Sequence, residues 1–238
     1  MKFKYLESPS QIGRIMTNPR LKSEIISETC KTRVEEKYIE DKYGVYRSFW
    51  TKEIDKGLQC EQESIDYLAK EYGMFGITKN ETKFRNELFK GTPDIIFNGV
   101  VYDIKTSWSV FTFPMWDDEI SNKGYIYQLQ AYMHLTGLKK AKLVYVLTNA
   151  TEEMIQDELY RRCMRKKLID ATPEMEEQVR REMTFDHIQP ELRIKMFDVE
   201  YSPEIIQLIA DRIKLCEEYY NELDKKLITQ IKQKSCLK

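Results

Sequence analysis

Asp94, Asp103 and Lys105 surround a turn whose register can be read from the residue types alone. Ile95-Ile96-Phe97 and Val100-Val101-Tyr102 flank Asn98-Gly99, a dipeptide that accepts the two positive-φ positions of a tight hairpin. With that turn, Phe97 pairs with Val100, Ile96 with Val101 and Ile95 with Tyr102, and Asp94 falls opposite Asp103. Cβ atoms so placed lie about 4.5–5.5 Å apart, where like charges repel. The pairing makes physical sense if a cation sits between the two carboxylates. Lys105, two residues beyond Asp103, points to the same face. The plainer reading is an exposed hairpin carrying ordinary surface charges.

A third carboxylate precedes the hairpin. Ile54, Leu58, Ile65, Leu68 and Tyr72 form a stripe at helical spacing, and Glu61 falls within it. An acid on the core-facing side of a helix needs a partner; at the edge of the stripe it would reach solvent instead. Three carboxylates and a lysine suit phosphodiester hydrolysis. Mg²⁺, or Mn²⁺ in its place, prefers hard oxygen ligands, polarises phosphate and acidifies water. A lysine can position that water or offset charge in the transition state.

Glu61, Gly91-Thr92-Pro93-Asp94 and Asp103-Ile104-Lys105 resemble the core motifs of the PD-(D/E)XK nucleases. Tyr125-x-x-Gln128-x-x-x-Tyr132 resembles the fourth motif of the RecB-like and lambda-exonuclease branch. Tyr132 taken alone is as well explained as core. The resemblance implies metal ligation by Asp94, Asp103 and the Ile104 carbonyl, with Glu61 as an additional or water-mediated ligand. It implies catalytic roles for Glu61, Asp94, Asp103, Lys105 and Gln128, with Tyr132 in support. The segment from Ser10 to Pro19-Arg20 resembles the lambda-exonuclease subfamily, which implies that Ser10, Arg20, Thr92 and Gln128 bind a DNA 5′-phosphate. Helix capping and a surface charge would equally account for Ser10 and Arg20. Asp103 stands where that subfamily often carries Glu.

The implied activity is a Mg²⁺-dependent deoxyribonuclease, an exonuclease working 5′-to-3′ on duplex DNA ends in phage-type recombination. Its implied partners are double-stranded DNA ends and a single-strand annealing protein, and its implied assembly is a homo-oligomer, a trimer. The implied setting is the cytoplasm of a bacterial or phage-infected cell. Two other functions stay open: a RecB-like or structure-selective endonuclease in repair or defence, and a non-catalytic DNA-end-binding protein.

Elements must hold these residues in place. Ser8-Pro9-Ser10-Gln11 carries helix-start signals, and the pattern predicts helices over residues 9–17, 21–41 and 52–72. Strand-like periodicity follows over 80–107, then an aromatic loop with Trp108, Phe111, Phe113 and Trp116. A helix over 122–136 ending at Gly137, a strand over 141–148, polar helices over 152–181, a strand over 192–201 and a final helix from 203 into a Lys-rich tail complete the plan. That is an α/β fold: by resemblance, a restriction-endonuclease-like core with a mixed central β-sheet flanked by helices, N-terminal helices and a helical insertion over about 151–189, all in a single domain over 1–238. The aromatic loop could stack on bases or pack on the core. Arg161, Arg162, Arg165, Lys166 and Lys167 in the insertion could contact a DNA backbone or form a solvated helix face.

Composition excludes several alternatives. Acidic residues (39) and basic residues (38) balance, so any nucleic-acid track must be local. Cys30, Cys60, Cys163, Cys216 and Cys236 are widely spaced without a C-x-x-C, which reads as reduced thiols and not as a disulfide frame, zinc site or iron–sulfur cluster. With two histidines, imidazole-based zinc chemistry is disfavoured. No apolar run approaches the roughly 18 residues of a membrane span, and the first ten residues lack a signal-peptide core, so no membrane association is expected.

Overall fold

The computed structural model describes residues 5–47 and 51–235. A 3-10 turn, Pro9–Gln11, leads into α1 (Ile12–Ile15), followed by α2 (Glu28–Tyr43), α3 (Lys52–Gln59) and α4 (Glu61–Glu71). Two short strands, β1 (Phe84–Arg85) and β2 (Lys90–Gly91), pair with each other. The main sheet begins with β3 (Ile95–Phe97) and β4 (Val100–Thr106), joined by Asn98 and Gly99 at φ 48° and 75°. α5 (Lys123–Thr136) leads to β5 (Lys140–Val146). α6 (Glu152–Lys166) and α7 (Pro173–Met183) intervene before β6 (Ile194–Glu200) and the long α8 (Pro203–Ser235). Cys236 and the end of the Lys-rich tail lie outside the described residues.

The sheet order is β3-β4-β5-β6. β3 pairs antiparallel with β4, β4 parallel with β5 across the α5 crossover, and β5 antiparallel with β6. The mixed α/β plan and the hairpin register are those expected from the sequence. Alternation along β4 then divides its side chains. Tyr102 and Ile104 pack with Ile65 and Leu68 of α4. Val101 packs with Leu129, Tyr132 and Met133 of α5, so Asp103 and Lys105, in phase with Val101, face α5. Ile65, Leu68, Ile95, Val101, Leu129, Leu143, Val144 and Val146 are wholly buried, each contributing about 1.5–3 kcal/mol to the layers that hold the site.

The N-terminal helices pack against α5 and α8 through Ile12, Ile15, Cys30, Val34, Ile209 and Cys216. Two close approaches set this packing. A Cβ on Gly13 would come within 2.8 Å of Gly124 Cα, and one on Gly91 within 2.7 Å of Pro9 Cδ. The start of the chain is thereby pressed against the N-terminus of α5 and the segment that leads to Asp94.

Two helix boundaries differ from the sequence expectation. α2 starts at Glu28 and not near residue 21, because Ser27 caps it by accepting from Cys30 N at 3.0 Å. The helix expected over 52–72 is two helices, broken at Cys60, whose φ and ψ of −103° and 9° leave the helical region. The apolar stripe does not survive that break: Ile54, Leu58 and Tyr72 are exposed. Glu61 becomes the first residue of α4 and not a residue of a buried face.

Candidate active site

Asp94 lies just before β3, past the last paired residue Ile95, and its Oδ2 accepts from Ile104 N at 2.8 Å. Asp103 is almost fully buried. Gln128 of α5 donates from Nε2 to Asp103 Oδ1 at 2.8 Å and accepts from Lys105 Nζ at 3.4 Å. Lys105 Nζ stands 2.7 Å from Asp103 Oδ2 and 4.7 Å from the centre of the Tyr125 ring. The ion pair leaves Asp103 Oδ2 without a directed hydrogen-bond donor among the described residues. Tyr132, one helical turn beyond Gln128, is buried below the cluster.

The electrostatics of the cluster follow from burial. Burial, and then the neighbouring charge of Asp103, push the Asp94 carboxyl up to about 7, against the opposing Ile104 N–H and Lys105. Burial also raises Asp103, opposed by Lys105. Lys105 would be lowered by its own burial, but the Asp103 charge and contact, and then Asp94, hold it above its ordinary value. Burial followed by the charges of Asp103 and Asp94 raises the Tyr132 hydroxyl well above its usual range. Two acids, one buried and one half-buried, thus share one ammonium, and the site is short of positive charge.

Among the described residues no three acids, imidazoles or thiols gather into a ready-made metal cage. The donor set nevertheless fits a hard divalent ion that keeps much of its water. Asp94 and Asp103 are oxygen donors, Asp103 Oδ2 lacks a directed donor, and Mg²⁺ is commonly held by only one or two carboxylates. Glu61 stands at the margin. It is near enough for its charge to raise Asp94, yet its own Oε2 accepts from Lys79 Nζ at 2.5 Å.

A cleft of about 550 Å³ opens on the other side of Gln128, lined by Ser10, Arg14, Lys123, Gly124 and Tyr125 among others. The N-terminus of α5 borders it, with Asn122 Oδ1 accepting from Gly124 N at 2.9 Å. Arg14 is steered from behind by Glu36 Oε2 at 2.7 Å and Gln11 Oε1 at 3.1 Å. Ser10 and Gln128 line the same cleft. Arg20 does not join them: it is exposed on the turn between α1 and α2 and does not line the cleft. Arg14, four residues after Ser10, occupies that position. Thr92 is half-buried between Gly91 and Asp94.

The aromatic loop divides in two. Phe113 is buried, and Trp108 packs against the α6–α7 pair. Phe111 and Trp116 are 100% and 87% exposed. The arginines of the insertion are not free on a helix face: Arg161 pairs with Asp157 and Glu158, Arg162 with Glu158 and Glu182, and Arg165 with Glu158. Residue-type reasoning missed three contributors. Arg14 was legible through its four-residue spacing from Ser10. Tyr125 was noted in a motif but not as the ring beneath Lys105. Lys56 carried no signal: buried to 1% exposure, it donates to the carbonyls of Ser107, Trp108 and Thr148 at 3.0, 3.3 and 2.7 Å. It thus ties together the ends of the chain leaving β4 and β5. Burial pulls its ammonium down to about 8.

No protein-family model and no curated protein matches the sequence. Solved structures do share the fold. A phage-related exonuclease from Haemophilus somnus 129PT is similar at TM-score 0.77 and 22% identity, over 94% of this chain and 97% of that one. An alkaline exonuclease from Laribacter hongkongensis is similar at TM-score 0.63 and 13% identity, over 98% of this chain and 95% of that one. The same enzyme in complex with dAMP gives TM-score 0.59 at 13% identity, over 97% of this chain and 94% of that one. The mixed α/β fold of this chain is therefore shared with those exonucleases nearly end to end.

Proposed function

We propose that the chain is a Mg²⁺-dependent DNA exonuclease that hydrolyses phosphodiester bonds from the 5′ end of duplex DNA, acting as a single nuclease domain in phage-type recombination. The observation that carries this reading is the Asp94–Asp103–Lys105–Gln128 cluster, with Asp103 and Gln128 buried. It is short of positive charge, and through Gln128 it opens on a cleft lined by Arg14, Lys123 and a helix N-terminus. The fold shared with two exonucleases supports it. So does the complex of one of them with dAMP, a nucleoside monophosphate of the class that such hydrolysis releases.

Mg²⁺, or Mn²⁺ in its place, held by Asp94, Asp103 and the Ile104 carbonyl, would supply positive charge against the phosphate and a more acidic water. Lys105, kept cationic by Asp103, offsets negative charge as it develops on the phosphate oxygens. Gln128 holds Asp103 and Lys105 in one arrangement, and the Tyr125 ring supports the ammonium from beneath. Arg14 and Lys123, with Ser10 and the N-terminal amides of α5, receive the phosphate at the strand end. Thr92 lies beside Asp94 to contact the same strand. A trimeric assembly and an annealing protein for the spared 3′ strand belong to the same reading.

The test is digestion of duplexes labelled at either end, with and without a 5′-phosphate, in Mg²⁺ and in EDTA. Release of the 5′ label first, only in Mg²⁺ and faster from phosphorylated ends, is the expected result. Cleavage of closed circular DNA at a comparable rate would favour an endonuclease, and no cleavage with retained end binding would leave a DNA-end-binding protein.

A further inference from the structure

Two features that the hydrolytic cluster does not use are brought together by the fold. The loop after β4 and the α6–α7 pair enclose a cleft of about 540 Å³, lined by Lys52, Trp108, Phe111, Arg162, Arg181 and Glu182 among others. That volume is within the roughly 300–1,000 Å³ of ordinary ligand sites. The cleft shares no lining residue with the Ser10–Gln128 cleft. It begins at Trp108, three residues past Lys105.

The loop is firmly built, yet one large ring is left outside. Lys56 grips the carbonyls of Ser107 and Trp108, and Trp108 and Phe113 are packed. Between them, Thr112 N and Phe113 N both donate to Ser109 O at 3.1 Å, and Ser109 N donates to Thr112 Oγ1 at 3.0 Å. Phe111 rides the apex of this turn, fully exposed. A ring carried on a hydrogen-bonded turn but unburied contributes little to the fold and is open to stacking against a ligand.

Among the charged residues that line the cleft, Lys52, Arg162 and Arg181 face Glu158 and Glu182, an excess of one positive charge. Glu158 is approached by four cations: Lys52, Arg161, Arg162 and Arg165. Glu182 is approached by Arg162. Arg181 is exposed at the end of α7 and lines the cleft. Lys52 Nζ also stands 5.7 Å from the centre of the Trp108 ring. An exposed aromatic ring beside a cleft whose net charge is positive suits a single strand of nucleic acid: a base stacks, and a phosphate meets the charge.

We propose that this cleft binds single-stranded DNA next to the hydrolytic cluster. It holds the strand that loses its complement, with Phe111 stacking on a base and Arg181 and Lys52 meeting the backbone. The assignment of that strand rests on the exonuclease reading; single-strand binding itself does not.

The experiment is fluorescence anisotropy with a labelled oligothymidylate in EDTA, so that no hydrolysis is needed. The wild type is compared with Phe111→Ala, Arg181→Ala and, as a control, Phe75→Ala, another exposed phenylalanine outside the cleft. Phe111→Ala and Arg181→Ala should each weaken binding about tenfold, and Phe75→Ala by less than twofold. Arg181→Ala should also lower the slope of log affinity against log salt by about 0.7, while Phe111→Ala leaves it unchanged. Wild type that fails to bind the oligonucleotide, cleft variants within twofold of it, or a control that weakens binding equally would overturn the proposal. So would a change of sedimenting mass in Phe111→Ala without a change in affinity, which would assign the ring to contact between copies of the chain. Because binding is read without turnover, an inactive enzyme that shows the expected binding pattern would sink the exonuclease reading and leave the cleft assignment standing.

Discussion

The Asp94–Asp103–Lys105 cluster and the α6–α7 insertion are both rich in charge, but they hold it in opposite ways. In the insertion, Glu158, Glu182, Asp157, Glu152 and Glu176 answer the arginines near the surface. Such pairs are worth about 0–1 kcal/mol each. In the cluster, Asp94 and Asp103 share one lysine beneath α5, and burial, with the neighbouring charge of Asp103 at Asp94, raises both carboxyls. The insertion has more charges and pairs most of them at the surface, and the cluster leaves charge uncompensated where it is buried. Uncompensated burial marks a place where a ligand's charge is awaited; density of charge alone does not.

The contrast is broken most severely at the aspartates. Asp94→Asn and Asp103→Asn should each lower Mg²⁺-dependent cleavage of duplex DNA by about a thousandfold or more, measured as initial rates on end-labelled DNA. Apo stability should hold or rise in both, because a buried like-charge conflict is removed. The pH dependence has a definite sign. Burial, and then the charge of Asp103, push the folded Asp94 carboxyl up to about 7 from the 3.8 of a free aspartate, so the folded state binds the extra proton between these limits. Stability of the metal-free wild type should therefore be greatest at the acid end of that window. It should fall as pH rises toward 7, by up to about 1.4 kcal/mol per pH unit from this group. Urea unfolding in EDTA should show that fall in the wild type and a flatter profile in Asp94→Asn.

Next in size is Lys105→Met, expected to lower single-turnover cleavage about a hundredfold or more while leaving Mg²⁺ affinity equal or tighter. Its ammonium competes for Asp103 in the metal-free state but acts on charge in the reaction. Lost metal binding with unchanged cleavage at saturating Mg²⁺ would contradict that role. Lys56→Ala sharpens the comparison from the structural side. It strands three carbonyl acceptors and should cost about 3 kcal/mol in denaturant unfolding.

Arg14→Ala should reduce the preference for 5′-phosphorylated over hydroxyl ends about tenfold, the worth of one charge-assisted contact. Arg20→Ala should change it less than twofold; the reverse ranking would return the end-binding role to Arg20. The smallest effect belongs to the insertion. Arg161→Ala should alter stability by no more than about 0.5 kcal/mol, since its ion pairs are surface pairs.

What could be read from the sequence was local. The Asn98-Gly99 turn forces its own register, so the approach of Asp94 to Asp103 followed from a dipeptide. Asn122 and Gly137 bracket α5 by their cap chemistry, which put Gln128 and Tyr132 on one helical face. What could not be read depended on contacts distant in the chain. Cys60 breaks the helix at a buried position where its Sγ meets Asn149 O at 3.5 Å, and that break moved Glu61 out of the stripe. Lys56 is buried because three carbonyls from two strand ends converge on it, and Phe111 is exposed because its neighbours are anchored. Arg14 and Arg20 are alike as residue types; only the packing of Gly13 on Gly124 brings one of them to the cleft.

The central claim is that Asp94 and Asp103 are held short of positive charge for a divalent ion. Calorimetric titration of Mg²⁺ at pH 6.5, run in buffers of different ionisation enthalpy, tests it directly. With the Asp94 carboxyl pushed up to about 7, wild type should bind the ion and release roughly three-quarters of a proton as it does so. Asp94→Asn should bind more weakly without that proton, and Asp103→Asn should show no saturable heat. Equal Mg²⁺ binding and equal proton release in all three proteins would place the metal elsewhere and contradict the account.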